Sequence, residues 1–513
     1  MTTMSEAVLI LAILGVWLLL LVVWDLLQRR HSILRTWPIL GHFRFLLEKV
    51  GPELRQYIVT DNNSERPFSR DQRRWIYSTA KGQDNRFGFG TDQDLEGSPN
   101  HLIIRPSAFA PPGPVPLRGG SVPVAKVLGL ARGRRHAFRP QSIVNVSGMS
   151  FGALSGPAIQ ALNLGCLAAG ALQSTGEGGL SKYHQHGGEL IFQIGTGYFG
   201  CRDNRGKFNL EKLVELCAAN PVRAIEIKLS QGAKPGHGGM LPGAKVTPEI
   251  AAIRGIKAGE DCISPGYHSA FGDVDEMLDF VEMIADATGL PVGIKSAVGD
   301  KRFWNRLATL MAPGERGVDF VVIDGGEGGT GAAPLAFTDN VSLPFMLGFA
   351  EVITAFGERG LHGKVLFVGS GRLGLPERAI EAFALGCDWV NVGREAMLAV
   401  GCIQAQRCHT DHCPTGVATQ NRWLIRGVDP VNKAERTARY LAGLRDEVVA
   451  LARTAGAPHP AALDPRSVDL LDGHEGSRPV ADVFAVKPPW SVSSSESLAD
   501  LLAEWPPRTV VNG

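Results

Sequence analysis

No cysteine precedes Cys166, and the full chain of 513 residues has only eight, which excludes a disulfide scaffold. Charge of one sign is also lacking. The 52 Lys and Arg oppose 51 Asp and Glu, a net charge of +1, so no field favours nucleic acid or another acidic polymer. With 44% hydrophobic, 20% charged and 7% aromatic residues, the composition is neither disordered nor collagen-like and can bury a sizeable core. A small-molecule partner is the expectation. Glycine is abundant: 62 residues, with 32 prolines, spread through the middle of the chain as tight loops of the kind that ligand or backbone approaches closely.

One stretch lacks polarity altogether. From Ala7 to Trp24 (AVLILAILGVWLLLLVVW) the chain carries no charge, an apolar run long enough to span a bilayer. No Lys or Arg precedes it and no small-residue cleavage site follows, which argues for a retained anchor over a cleaved signal peptide. Arg29, Arg30, His31 and Arg35 follow it while Glu6 precedes it, so the positive-inside bias leaves the body of the protein in the cytoplasm. The expectation is a single-pass membrane protein with a cytoplasmic catalytic domain.

The organisation expected after the anchor (1–30) is a juxtamembrane and cap region (31–141), with a charged amphipathic stretch near Glu48 to Tyr57 and Pro-rich loops from Pro106 to Pro123. From Ser142, eight apolar runs end in Gly-rich or polar loops and alternate with helix-like segments. They are SIVNVSGM (142–149), ALQSTGEGG (171–179), LIFQIGTG (190–197), RAIEIKLSQG (223–232), LPVGIKSAVG (290–299), DFVVIDGGEGGTG (319–331), KVLFVGSGR (364–372) and DWVNVGREA (388–396). Buried parallel strands read as continuous apolar runs, so the pattern predicts an α/β fold, a (β/α)8 TIM barrel over 142–428 with ligand-facing residues at the strand C-terminal ends. A doubly wound sheet needs G-x-G-x-x-G after its first strand, and SGMSFGALSG lacks that spacing. A closing helix is expected within 429–457, and a loosely packed Pro/Ser-rich tail over 458–513 containing SVSSSES (491–497).

Several strand ends carry chemistry. GGEGGTG (325–331), GSGR (369–372) and GRE (393–395) expose backbone N–H groups, and Arg372 and Arg394 add charge, which together suit a phosphate-bearing cofactor. Lys228 and Lys295 each end an apolar run, where an ammonium is costly without a negative partner. An anionic reduced flavin is one candidate partner, and a rim salt bridge with Glu226 or Asp324 is another. Glu177 in STGEGG (174–179) stands between glycines, where a carboxylate could donate a proton, hold an ammonium-like group, or simply face solvent.

Cys402, Cys408 and Cys413 fall in GCIQAQRCHTDHCPTG (401–416) with C-x5-C-x4-C spacing. Zinc sites usually need four ligands in CxxC pairs, and only His409 or His412 offers a fourth. Three thiolates also suit an iron–sulfur cluster lacking one iron. The spacing leaves both metals open.

NVSGMSFGALS (145–155), STGEGG, EIKLSQGAKPGHGG (226–239), LPGAKV (241–246), DGGEGGTGAAP (324–334) and GCIQAQRCHTDHCPTGVATQ (401–420) together resemble the synthase domain of glutamate synthase, and most closely its stand-alone FMN-binding relatives. The match runs from about Ser142 to Arg426, with the motifs in strand order. The resemblance implies a barrel holding FMN and three cysteines, Cys402, Cys408 and Cys413, binding a 3Fe-4S cluster, which decides iron over zinc. It implies that Lys228, Gln231 and Glu177 line the flavin and the 2-oxoglutarate or iminoglutarate pocket. The FMN-binding set it implies is Ser147, Gly148, Met149, Ser150, Lys295, Asp324, Gly328, Gly329, Thr330, Gly331, Gly369, Gly371, Arg372, Gly393 and Arg394. The implied chemistry is ammonia capture by a keto acid followed by hydride delivery, with electrons from an external donor, a ferredoxin-like protein or reductase subunit.

Three departures accompany the resemblance. The glutaminase domain of glutamate synthase begins with a nucleophilic cysteine, whereas this chain begins with an apolar segment and its first cysteine is Cys166, so glutamine hydrolysis by that route is not expected. The long C-terminal domain of the large synthase is missing, and nothing resembles an NAD(P)H-binding domain. KPGHGG (234–239) and ISPGYHSAFGD (263–273) stand where the family usually reads KPGEGG and ISPPPHHD. Two other functions are carried as alternatives. One is a hydroxy-acid or nucleotide flavoenzyme, disfavoured because 324–334 has no cysteine and no His-plus-Arg pair is in place. The other is a non-catalytic flavin and iron–sulfur electron-transfer subunit of a membrane redox system.

Overall fold

In the computed structural model, which describes residues 2–28, 31–86, 88–95, 97–109, 111, 115–474, 476–487 and 495–505, each of the eight apolar runs contains one strand. These are β1 (Val144–Val146), β2 (Gln173–Ser174), β3 (Leu190–Ile194), β4 (Val222–Lys228), β5 (Val292–Ser296), β6 (Phe320–Asp324), β7 (Leu366–Ser370) and β8 (Trp389–Val392). Each strand pairs in parallel with its sequence neighbour, and β8 returns to β1 through Val390↔Val144, closing the expected barrel. Interior side chains cover one face of each strand and helices the other, so β3, β5, β6, β7 and β8 are buried along their whole length and polar alternation disappears.

Local chemistry sets the crossovers. Ser155 caps the helix Gly156–Ala169 and precedes Pro157, while Asp273 accepts from the Asp275 and Glu276 amides at 2.9 Å to start Val274–Thr288. A side chain at the cap with proline in the first turn satisfies amides that the helix cannot pair itself. Inside the barrel, Gly293 leaves room for the Phe320 ring, with which a Cβ there would collide. The connection from β4 to β5 is the long one, carrying a small hairpin (Met240–Leu241 with Cys262–Ile263) and the helix Pro248–Arg254 before its crossover helix.

The two ends of the barrel differ electrostatically. Toward the strand N-termini, buried charges form ion pairs: the Lys126 ammonium donates to Asp388 Oδ2 at 2.9 Å and to the His362 and Val365 carbonyls. Arg134 likewise pairs with Asp319 and Glu282. That end is built for stability.

The chain packs as two units, Met1–Arg73 and Arg74–Gly513, so the described residues of 74–141 in the expected juxtamembrane and cap region pack with the barrel. The closing helix runs Pro430–Thr454. Much of the expected tail is structured rather than loose. Val468–Leu471 pairs antiparallel with both Leu102–Ile104 and Ser477–Pro479, and Trp505 Nε1 donates to Ser121 O at 2.7 Å. That pairing buries Val468, Asp469 and Leu470, and it outweighs the Pro and Ser content around it. SVSSSES (491–497) lies partly outside the described residues, as do Arg29 and Arg30.

In the first unit, α1 (Thr2–Leu27) contains the segment Glu6–Leu27, with an unburied 18-residue stretch of mean hydropathy 3.0, the one helix among the described residues long and apolar enough to cross a membrane. A signal sequence meets the same criterion. At its C-terminal end Asp25 accepts from the Ile39 amide at 3.0 Å and lies 2.9 Å from His42 Nε2. This ties the start of α2 (Leu40–Leu54) to the end of α1.

Candidate active site at the barrel mouth

Lys228 ends β4, and its ammonium lies 2.9 Å from Glu177 Oε1 and 2.7 Å from Gln231 Oε1. The three residues expected to act together therefore meet at one point above the barrel. Glu177 reaches it because its neighbours are glycines: a Cβ on Gly195 or Gly239 would come within 2.7 Å of the Glu177 side chain. Gly176 has φ +68° and packs on the Ser150 amide, which a Cβ would approach to 2.5 Å. Only glycine fits both the conformation and the space.

Burial alone would raise the Glu177 carboxyl, but the ammonium of Lys228, with Lys234 and Arg254 behind it, outweighs burial and holds it below the ordinary glutamate value. Glu177 is therefore a permanent anion at neutral pH and unsuited to donating a proton. Of the roles open to it from sequence, it holds an ammonium, and that ammonium belongs to Lys228.

Residues that the sequence reading passed over complete the site. His268 lies in the departing loop 263–273, and its Nε2 is 2.9 Å from the Lys228 carbonyl while Nδ1 is 3.2 Å from the Tyr198 hydroxyl. That hydroxyl accepts from the Ser269 and Ala270 amides, so its own proton goes to Nδ1 and the Nε2 proton to Lys228 O. Burial depresses His268 and keeps the ring neutral. Arg254 is buried with Nη2 on Phe151 O and Nη1 3.5 Å from Cys262 Sγ, and its Nε is unpartnered. A lone arginine in a helical stretch gives no sequence signal. Lys234, in the KPGHGG loop, donates to Ala332 O at 2.8 Å, and burial lowers its pKa.

The expected cofactor residues form a ring around the mouth. The Ser147 amide bonds the Val392 carbonyl, joining the β1 loop, with Gly148, Met149 and Ser150, to Gly393 after β8. Lys295 lies 3.7 Å from Asp324, whose Oδ2 also accepts from the Gly232 amide at 2.9 Å. The Arg394 side chain crosses Gly329, where a Cβ would meet its Cδ at 2.5 Å, and bonds the Glu327 carbonyl. Gly371 packs on Gly325, joining the turn that carries Arg372 to the start of the 325–331 loop, which also holds Gly328, Thr330 and Gly331. Gly369 differs from the rest: a Cβ there would strike Leu373, Phe345 and Cys387, so its lack of a side chain serves packing.

Besides Arg254 Nε, the buried polar atoms at this end without a hydrogen-bond partner include Ser174 Oγ, Glu226 Oε2 and Gln231 Nε2. Glu226 is otherwise held by Gln193, and burial raises its carboxyl. Buried polar atoms are nearly always paired. Their placement beside two lysines and a glycine-lined ring fits a polar, anionic cofactor such as FMN.

Burial pushes Cys402 up to about 12, with Cys408 and Cys413 adding to the rise, and also raises Cys408. The Gln404 amide points at Cys402 Sγ at 3.4 Å. Lys245 of LPGAKV is buried and donates to the carbonyls of Ala153, Cys408 and Ala418. Burial lowers its pKa to about 8 against the pull of Cys408, Asp411 and Cys413. His409 and His412 are both exposed. Among the described residues no three His, Cys, Asp or Glu side chains form a group able to hold a metal ion. Three soft sulfur donors beside a cation nonetheless match the donor chemistry of an iron–sulfur cluster.

Residues 131–458 match the conserved region in glutamate synthase. The glutamate synthase large subunit-like protein YerD of Bacillus subtilis is 36% identical over 84% of this chain and 88% of its own. An archaeal glutamate synthase [NADPH] of Methanocaldococcus jannaschii is 37% identical over 61% of this chain, which spans 59% of that protein. A glutamate synthase large subunit-like protein of Rhizobium meliloti is 31% identical over 66% of this chain and 78% of its own.

Proposed function

Since the chain belongs to the glutamate synthase family, we propose that it is an FMN and iron–sulfur oxidoreductase. In this reading it reductively aminates 2-oxoglutarate or a related keto acid with ammonia, α1 anchors it to the membrane, and an external protein donates electrons. The observation that carries this reading is the Glu177–Lys228–Gln231 cluster, set among Lys234 and Arg254 at the barrel mouth.

Bound FMN would supply hydride to the imine carbon, and a 3Fe-4S cluster on Cys402, Cys408 and Cys413 would supply its electrons. Ser147 to Ser150, Lys295, Asp324 and the Gly-rich loops with Arg372 and Arg394 would hold the flavin. Lys228, Lys234 and Arg254 neutralise a dicarboxylate. The Gln231 amide, anchored through its oxygen, offers its free N–H to substrate oxygen. Glu177, fixed as an anion, attracts ammonium and keeps Lys228 in place. Conversion of keto acid and ammonium to amino acid takes two electrons and two protons and releases water, and the positively charged mouth steadies the carboxylates throughout.

The test is the purified full chain in detergent, with flavin absorption, iron content and low-temperature EPR recorded, followed by 2-oxoglutarate, ammonium and a chemical reductant. Bound flavin, a cluster signal lost in Cys408→Ser, and glutamate formation support the proposal. Flavin and cluster without any amino-acid product would favour the electron-transfer subunit instead.

A further inference from the structure

The face of α2 opposite its packed side is apolar and uncovered. Leu40, Phe43, Leu46, Leu47, Val50 and Leu54 are each more than a third exposed, and at about 100° per residue they occupy an arc of about 120°. Its other sides are spoken for. Gly41 packs on Leu34, where a Cβ would come within 2.9 Å, and Phe45 meets His31 edge-on at 5.2 Å. His42 is tied to Asp25, and Arg44 pairs with Glu48. Such a stripe is too large and continuous to leave in water.

Two observations select its occupant. Asp25 fastens the first turn of α2 to the end of the apolar segment Glu6–Leu27, so the stripe begins where that segment ends, with Trp37 exposed just before it. Between Leu27 and Thr60 the sequence carries six Arg and Lys (29, 30, 35, 44, 49, 55) against two Glu (48, 53). A helix with an apolar stripe, flanking basic residues and an aromatic at its start suits the headgroup boundary of an anionic bilayer. We propose that α2 lies in the membrane plane as a second, interfacial contact, its 40/43/46/47/50/54 stripe inserted among anionic lipids at the end of α1. The inference rests on the reading of α1 as a membrane anchor.

The experiment reconstitutes the full chain into vesicles of phosphatidylcholine with a minority of phosphatidylglycerol, carrying a diazirine-tailed phosphatidylcholine, then maps photolabel by mass spectrometry. The expected result is label in both the 6–27 and the 40–54 peptides, the latter at least fivefold above a barrel-helix peptide such as 274–288. The double variant Phe43→Glu, Leu47→Glu should lose label at 40–54 while keeping it in α1. Label in α1 alone overturns the interfacial helix and leaves the anchor standing. Label in neither overturns the anchor and this inference with it. Amine cross-links between the Lys49 side chains of two copies, with 40–54 unlabelled, would assign the stripe to a second copy and overturn the proposal.

Discussion

The Lys228 ammonium lies 2.9 Å from the Glu177 carboxylate although one residue ends β4 and the other sits in the loop after β2. Glu177 thus positions Lys228 instead of titrating. Lys228→Met should lower amino-acid formation by about 10²-fold or more, with flavin content unchanged. Glu177→Gln removes the anion and lets Lys228 swing, with a loss of about 10²-fold. Equal turnover in either variant would remove the cluster from the mechanism.

The same pair sets a pH dependence. Glu177 is held below its ordinary value of 4.5, so its stabilising contribution is complete above about pH 4.5 and disappears as pH falls through its lower folded value. An acid limb of activity above pH 5 therefore belongs to another group, and Glu177→Gln should leave that limb in place. A limb that vanishes in the variant contradicts the assignment.

His459 and His184 contribute a second pH effect. Burial lowers them to about 3 and about 4 from 6.5, so the unfolded chain takes up protons that the fold refuses. Their contribution to stability is complete above pH 6.5 and is lost as pH falls toward 4. His459 Nδ1 accepts from the Ala461 amide and Nε2 donates to Pro123 O, an arrangement only the neutral ring allows. His459→Gln should show a smaller fall in melting midpoint between pH 7 and pH 5 than the wild type; an identical fall would exonerate His459.

Lys245 joins the cysteine loop to the barrel through the carbonyls of Ala153, Cys408 and Ala418. Lys245→Met leaves three carbonyls without a donor, costing about 1–3 kcal/mol for each left buried. Purified protein should carry less iron per chain and react faster with a thiol reagent at Cys408 after iron removal. Unchanged iron and unchanged thiol reactivity would contradict a clamping role.

Gly232 tests the backbone contact between the β4 and β6 loops. A Cβ there would collide with the Gly325 carbonyl oxygen, and backbone cannot swing aside. Gly232→Ala should lower the melting midpoint, an overpacking cost of about 1–3 kcal/mol, and reduce flavin content.

All eight strands were legible in the sequence because barrel strands are buried on both faces, and continuous apolar runs such as FVVID (320–324) have few other uses. Lys228 was legible for a related reason, being a charge at the end of such a run, and Glu177 because it stands between glycines in STGEGG. Arg254 and His268 were not, because they reach the site from the long β4–β5 connection, and only the folded path brings residues that far apart together. The order of the tail was not legible from its Pro and Ser content, because it comes from pairing with distant segments: Val468, Asp469 and Leu470 are all buried, and Asp469 pairs with Arg105.

The central claim is that the Glu177–Lys228–Gln231 cluster serves reductive amination of a keto acid. Anaerobic stopped-flow of the photoreduced full chain measures it most directly, by following flavin reoxidation after addition of 2-oxoglutarate, ammonium, or both. The account predicts rapid reoxidation with equimolar glutamate only when both are present, slowed about 10²-fold in Lys228→Met. Reoxidation that is indifferent to keto acid and ammonium, or unaffected by Lys228→Met, would contradict it.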